Sequence, residues 1–135
     1  MNPLYPVVAV RAGYRCEYCG VPEAVFNFPF EVEHITPRSR GGADLESNAA
    51  LACRACNLRK ADHVSGMDEE TGQDVRLFHP RQDRWEDHFQ ILLADATIHG
   101  LTPIGRATVA QLEFNSEAQV AARKLWLRLD IFPQR

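Results

Sequence analysis

Hydrophobic and polar positions change their spacing several times along this chain. From Phe30 to Thr36, F-E-V-E-H-I-T alternates apolar and polar residues and is rich in β-branched side chains, which predicts a strand that Pro37 stops. A polar loop follows from Arg38 to Asn48, with Gly41-Gly42 permitting positive φ, and Ala49 to Ala52 predicts the returning strand. Cys53 to Lys60 then predicts a helix, so the centre of this region reads as a β-hairpin followed by a helix. Upstream, residues 4–13 predict a short lead-in helix ending at Gly13, and Tyr14 to Gly20 has the form of a tight turn with a glycine just after its second cysteine.

Beyond residue 64 the pattern is less regular. S-G-M-D-E-E-T-G-Q-D, residues 65–74, is acidic and contains glycine, which predicts a boundary or an exposed loop. A turn at Pro80 and a short helix bearing Trp85 and Phe89 come next, then two short strands around a turn at Asp95-Ala96. Thr102-Pro103 is a helix start, with threonine at the N-cap and proline in the first turn. That helix should carry Ile104, Val109 and Leu112 on one face and run to about Phe114. A second start at Asn115 or Ser116 predicts a final helix to about Ile131, with Val120, Leu125, Trp126 and Leu127 as its apolar residues. No repeat or low-complexity segment interrupts the chain. The expected organisation is a core over residues 1–66 and an extension over 67–135 with short strands and two helices, an α+β chain that is mainly helical toward its end.

Composition narrows the class. Of 135 residues, 45% are hydrophobic and 24% charged, as in a folded globular protein, and no apolar run is long enough to span a bilayer. The first residues, Met1 to Pro6, lack the basic and apolar regions of a signal peptide, so a cytoplasmic location is expected. In that reducing compartment four cysteines in two close pairs point to metal ligands more than to a disulfide framework. The net charge of −3 is uneven: residues 34–60 carry five basic side chains against two acidic, and residues 61–95 carry nine acidic against three basic. A small basic surface on an acidic body suits brief phosphate contact, with Arg38, Arg40, Arg59 and Lys60 as the candidates, better than tight salt-resistant binding.

Cys16 and Cys19 form one Cys-x-x-Cys pair, and Cys53 and Cys56 form the other. Each pair can grip one ion from a single turn, giving a closed tetrahedral four-sulfur site with structural Zn2+; a dithiol redox pair or buried free cysteines are the alternatives. Between the pairs, Glu33 and His34 are adjacent on the predicted strand, so their side chains point to opposite faces. That suits a division of labour in which one reaches a metal and the other the attacking water. Asn57, fixed by Cys56, can offer an amide oxygen to a hard cation such as Mg2+ or Mn2+, while neutral imidazole takes a proton from water. His79, His88 and His99 lack ligand spacing with one another and read as structural or surface residues.

Taken together, C-x-x-C, E-H-I-x-P, the R-x-R-G-G loop, N-x-x-L and C-x-x-C-N-x-x-K resemble the HNH endonuclease superfamily and its ββα-metal fold. They are most similar to its zinc-stabilised subgroup, which includes McrA-like and phage junction-resolving nucleases. The resemblance covers about residues 14–62. It implies a metal-dependent DNA endonuclease in which His34 is the general base, Glu33 and Asn57 bind the catalytic Mg2+ or Mn2+, and Asn48 braces the loop and orients the histidine. It also implies that Arg59 and Lys60 contact the DNA backbone, with no membrane and no small-molecule cofactor involved. Two positions depart from the commonest pattern: Glu33 stands where aspartate is usual, and Asn57 where many relatives have histidine. The alternative is a non-catalytic zinc-stapled DNA-binding module. A third reading is a toxin or partner-regulated nuclease held inactive through the acidic residues 61–95.

Overall fold

Pro6 lies in the first turn of helix α1 (Tyr5–Arg11), where its missing N–H costs nothing, and the chain leaves the helix through Gly13 at φ +63°. The computed structural model describes residues 1–133 and divides them into two units. The first is Met1–Val64 with His79–Gln82; the second is Ser65–Phe78 with the chain from Asp83 onward. The architecture is α+β, built on three separate antiparallel two-stranded sheets.

In the first unit, β1 (Glu31–His34) pairs with β2 (Ala49–Ala52), with Glu31 opposite Ala52 and His34 opposite Ala49. All four residues of β2 are buried, and with Val8, Tyr18, Val21, Phe30 and Ile35 they make the core. Helix α2 (Arg54–Lys60) begins directly after β2, and the Cys53 sulfur caps it by accepting the Cys56 N–H at 3.5 Å. Residues 79–82 join this unit through Arg81, whose guanidinium meets one oxygen of Glu17; the other oxygen accepts the Leu51 N–H at 2.8 Å. Burial, with Arg11 nearby, brings the Arg81 guanidinium down to about 10.

The second unit differs from the sequence reading at its start. Residues 65–76 are a hairpin, β3 (Ser65–Asp68) and β4 (Gln73–Arg76), and not an exposed loop, although the boundary between the two units does fall at its start, between Val64 and Ser65. The acidic E-E-T-G stretch is its turn, with Gly72 at φ +73° and the Asp68 carboxylate accepting from Thr71 and from the Glu70 N–H. Helix α3 (Trp85–His88) is a single turn, so Phe89 opens strand β5 (Phe89–Leu92), which pairs with β6 (Thr97–Gly100).

Helix α4 (Pro103–Gln111) starts where expected, with the Thr102 hydroxyl accepting the Gly105 N–H, but ends before Phe114. Its most buried residues are Gly105, Ala107 and Thr108, and not Ile104 and Val109. Small residues lie there because the backbones meet: a Cβ at Gly105 would overlap the His88 carbonyl. Helix α5 (Glu117–Arg128) is capped by the Ser116 hydroxyl and buries Trp126 and Arg123, leaving Leu125 exposed. Arg123 donates to the carbonyls of Ala96 and Phe114, each at 2.8 Å, beneath the core of Phe78, Phe89, Ile98 and Phe114.

An ion pair between half-buried Arg106 and buried Asp68 ties β3 to α4 in this unit. Arg106 grips Asp68 at 2.8 and 3.0 Å, and this contact, ahead of all other influences, holds the carboxyl down at about 2. Because the folded value lies below the unfolded one, the stabilisation is complete above about pH 4 and is lost as pH falls through about 2. Acid titration of Arg106→Gln, followed by tryptophan fluorescence, is therefore expected to show a shallower loss of stability below pH 4 than the parent protein.

Candidate functional site

Four sulfurs meet at the base of the first unit. Cys16 and Cys19 lie in the turn after α1, closed by Gly20 at φ +85° donating to the Cys16 carbonyl, and Cys53 and Cys56 lie at the head of α2. All four are buried, and their sulfurs lie within 4.8 Å of one another. Tetrahedral zinc with Zn–S near 2.3 Å separates sulfurs by roughly 3.8 Å; Cys19 and Cys53 stand 3.8 Å apart. Each pair also directs a backbone N–H at a sulfur, Cys19 to Cys16 and Cys56 to Cys53. Burial opposes ionisation of Cys16, yet hydrogen bonds from the other three sulfurs hold its thiol well below the usual range, while Cys19 and Cys56 are driven up. The donor set, burial and spacing fit a closed structural zinc site with no position left for substrate.

His34 ends β1 and points away from the buried face of the hairpin. Its Nε2 stands 2.5 Å from Asp44 Oδ1, and the same carboxylate is gripped by Arg38, at 2.8 Å to both oxygens from Nη2 and 3.1 Å from Nε. The contact with His34 first, and Arg38 second, lowers the Asp44 carboxyl below its usual range. An ionised carboxylate only accepts, so the Asp44 contact selects the tautomer of the neutral imidazole with its proton on Nε2 and its lone pair on Nδ1. Asp44 went unnoticed in the sequence because it sits in a polar loop; its signal was an acidic residue two positions after the glycine pair, within a mainly basic stretch.

Asn48 shapes that loop. Its Oδ1 accepts the Thr36 N–H at 2.8 Å, and its Nδ2 donates to the carbonyls of Thr36 and Ala43, both at 2.9 Å. Gly42 makes the closure possible, since a Cβ there would overlap the Thr36 carbonyl. The residue that positions His34, Asp44, therefore sits one residue beyond a strut made by Asn48.

Glu33 and Lys60 are placed differently from the expectation. Glu33 is 4% exposed and Lys60 1%, and they face each other across β1 and α2 with Lys60 Nζ 2.5 Å from Glu33 Oε1. The ammonium's aligned hydrogen bonds go to the carbonyls of Ile35 at 2.8 Å and His34 at 3.2 Å, and Tyr18 donates to Glu33 Oε2 at 3.1 Å. Even so, burial is the largest influence on Glu33 and raises its carboxyl above the usual value, with Lys60 opposing. The expected metal ligand Glu33 and the expected DNA contact Lys60 thus lie paired in the interior, Glu33 Oε1 without an aligned hydrogen bond and Lys60 withdrawn from solvent.

Asn57 does not face Glu33's partner but Glu31: its Nδ2 touches Glu31 Oε2, and Arg54 stands 3.6 Å from Glu31 Oε1. That last pair is a surface contact, with Arg54 63% exposed, and is worth at most about 1 kcal/mol. Glu31 was missed although period two places it on the same strand face as Glu33. Of the other expected DNA contacts, Arg38 and Arg40 are exposed, Arg40 donating to the Asp62 carbonyl at 2.9 Å, and Arg59 is half-buried. Among the described residues no helix is long and apolar enough to cross a membrane.

Comparison with known proteins adds one finding. No curated protein and no solved structure matches the chain. A family model does match, over residues 16–63, a little over a third of the chain, and its description is HNH endonuclease. Those residues span both cysteine pairs, His34 with its partner Asp44, and helix α2. Over those residues the chain is similar to HNH endonucleases, and its four clustered cysteines are consistent with the zinc-stabilised subgroup of that family.

Proposed function

We propose that this protein hydrolyses phosphodiester bonds of DNA, with His34 as the general base. The observation that carries the proposal is the Arg38–Asp44–His34 chain, which orients the imidazole through Nε2 and leaves Nδ1 outside that chain. His34 Nδ1 takes a proton from water, the oxygen attacks phosphorus, and the bond to the 3′ oxygen breaks as that oxygen acquires a proton from solvent. Arg38, Arg40 and Arg54 are exposed beside this region and supply the phosphate contacts, which position the backbone without reading sequence. Zinc at the four cysteines is structural. A bound Mg2+ or Mn2+ would stabilise the charge that develops at phosphorus, and Asn57 is read as a residue that would help hold it.

The test is plasmid nicking with Mg2+, Mn2+ or EDTA. His34→Ala is expected to lose about 10²–10⁴ in rate, as removal of a general base does. Asp44→Asn should lose part of the rate and shift the pH profile, with Asp44→Glu recovering some of both. Undiminished cleavage by His34→Ala would exclude the base. The withdrawal of Glu33 into an ion pair favours one rival, a DNA-binding module without catalysis. Wild type that shifts DNA in a gel and never nicks it with any divalent ion would decide for that rival.

A further inference from the structure

The loop that enters β1 carries aromatic residues outward. Residues 24–29, A-V-F-N-F-P, hold no charge, and Phe26 and Phe28 are 37% and 47% exposed while Phe30 is buried. The three rings form a ladder, Phe26 meeting Phe30 edge-on at 5.3 Å between centroids and Phe28 at 6.2 Å. Glu23 ties the loop down on either side. Its carbonyl accepts the Phe26 N–H at 2.9 Å, and its carboxylate, held by the Tyr5 hydroxyl, accepts the Phe30 N–H at 2.8 Å.

The loop is continuous with the site around His34. Asn2 and Val32 line both the small cleft beside His34 and Asp44 and a larger open cavity of about 480 Å³ that ends against Pro29 and Phe30. One groove thus follows β1 from the histidine to the aromatic loop. Phe30 precedes His34 by four residues, or about 13 Å of extended chain at about 3.3 Å each. At about 3.4 Å per stacked nucleotide, that length matches about four nucleotides of one DNA strand.

We infer that Phe26 and Phe28 are a stacking platform for unpaired DNA bases, so that the substrate is DNA with a single-stranded or unstacked stretch beside the cleaved bond. The placement beside a cleaved bond rests on the nuclease reading; the binding of unpaired bases does not. A phenyl ring has no hydrogen-bonding atom with which to read base edges, and within a duplex each base face is already covered by its neighbours. The rings can take up a base only where that stacking is interrupted, and every base offers such a face, so no sequence preference comes with it. The charges sort accordingly. Of the carboxylates flanking the loop, Glu23 is engaged by Tyr5, and Glu31 by Asn57 and Arg54. Arg54, 63% exposed at the head of α2, is the nearby group suited to a phosphate. Uncharged rings beside one arginine suit the neutral bases and single backbone of one strand better than the paired phosphate rows of a duplex or a charged peptide.

The experiment is fluorescence anisotropy of a labelled mixed-sequence strand about 12 nucleotides long, free or annealed to its complement, with the zinc-loaded full chain at one salt concentration and no Mg2+ or Mn2+. Zinc content and circular dichroism are checked for every variant. Phe28→Ala is expected to weaken binding of the free strand at least about fivefold and to leave the duplex within about twofold. Phe28→Trp should bind the strand as tightly as wild type, and Phe28→Leu as weakly as Phe28→Ala, because leucine keeps the apolar bulk and lacks the flat face. Unchanged strand binding by Phe28→Ala, equal losses on strand and duplex, or full retention by Phe28→Leu overturns the inference. So does a wild-type dimer in sedimentation that Phe28→Ala disperses, which assigns the rings to a second copy. If Phe28→Ala does not fold, Phe28→Leu decides. Strand binding that depends on Phe28, with no cleavage of any DNA in Mg2+ or Mn2+, defeats the nuclease reading and leaves the platform standing; cleavage that needs His34, with strand binding indifferent to Phe28, does the reverse.

Discussion

Protein carrying Cys53→Ser is expected to lose its zinc and, with it, the fold of the first unit. The elements that carry the site are too small to persist unaided. Strands β1 and β2 have four residues each and α2 has seven, whereas an isolated helix shorter than about 12–15 residues or a lone two-stranded hairpin is marginal in water. One ion joins the turn at Cys16 and Cys19 to the head of α2, and structural zinc of this kind supplies about 10–16 kcal/mol of apparent binding energy. Cys53 is also the α2 N-cap, so serine preserves a cap while removing a ligand, which separates the two roles. The readout is built into the chain: the three tyrosines, Tyr5, Tyr14 and Tyr18, lie in the first unit, and both tryptophans, Trp85 and Trp126, in the second. Loss of zinc should therefore change tyrosine signals and far-ultraviolet dichroism. A Cys53→Ser protein that keeps its zinc and melts with wild type refutes the clamp.

Lys60→Met should be the most destabilising single change outside the clamp, by about 3–5 kcal/mol, because it strands the Glu33 carboxylate in the interior. It also leaves the His34 and Ile35 carbonyls without their ammonium donor. The effect has a sign in pH. Burial already raises the Glu33 carboxyl, and removing Lys60 removes the group that opposes it. The folded variant then holds a proton that its unfolded chain releases, so its stability is greatest at low pH and falls as pH rises through the raised value. Urea denaturation of wild type and variant at about pH 5.5 and about pH 8 should show the gap widening with pH. A gap that is constant, or below about 1 kcal/mol, would mean the pair is not buried as a charge pair.

The cysteine spacing, the β1–β2 hairpin and the caps at Thr102 and Ser116 were legible because each is a local signal with a local cause. Capping and turn chemistry act over three or four residues, and alternation needs only one strand. The β3–β4 hairpin was not legible. Its buried positions are Gly66 and Asp68, one too small and the other too polar to register, and Asp68 is buried only because Arg106, far along the chain, grips it. The face of α4 was misread for a related reason: close backbone approach selects Gly105, Ala107 and Thr108 over larger apolar residues. At the site, period two does put Glu33 and His34 on opposite faces, but no local rule says which of two carboxylates a lysine will take. Lys60 looks like a surface cation in sequence, and only the fold withdraws it. Asp44 depends likewise on where a loop comes to rest.

Residues 79–82 give the HNH segment a debt to chain outside it. The Glu17 oxygen that meets Arg81 and the one that accepts from Leu51 belong to a single carboxylate, so a side chain beyond residue 78 helps fix the backbone of β2. Modular reuse of such a segment, by gene shuffling or by design, cannot simply cut after the last cysteine pair. A transplanted fragment of residues 1–66 would carry all four cysteines and the histidine, yet leave Glu17, a half-buried carboxylate in the Cys16–Cys19 turn, without its cation. The portable unit is an interrupted one, and a graft that keeps Glu17 needs a replacement for Arg81 as much as it needs the zinc.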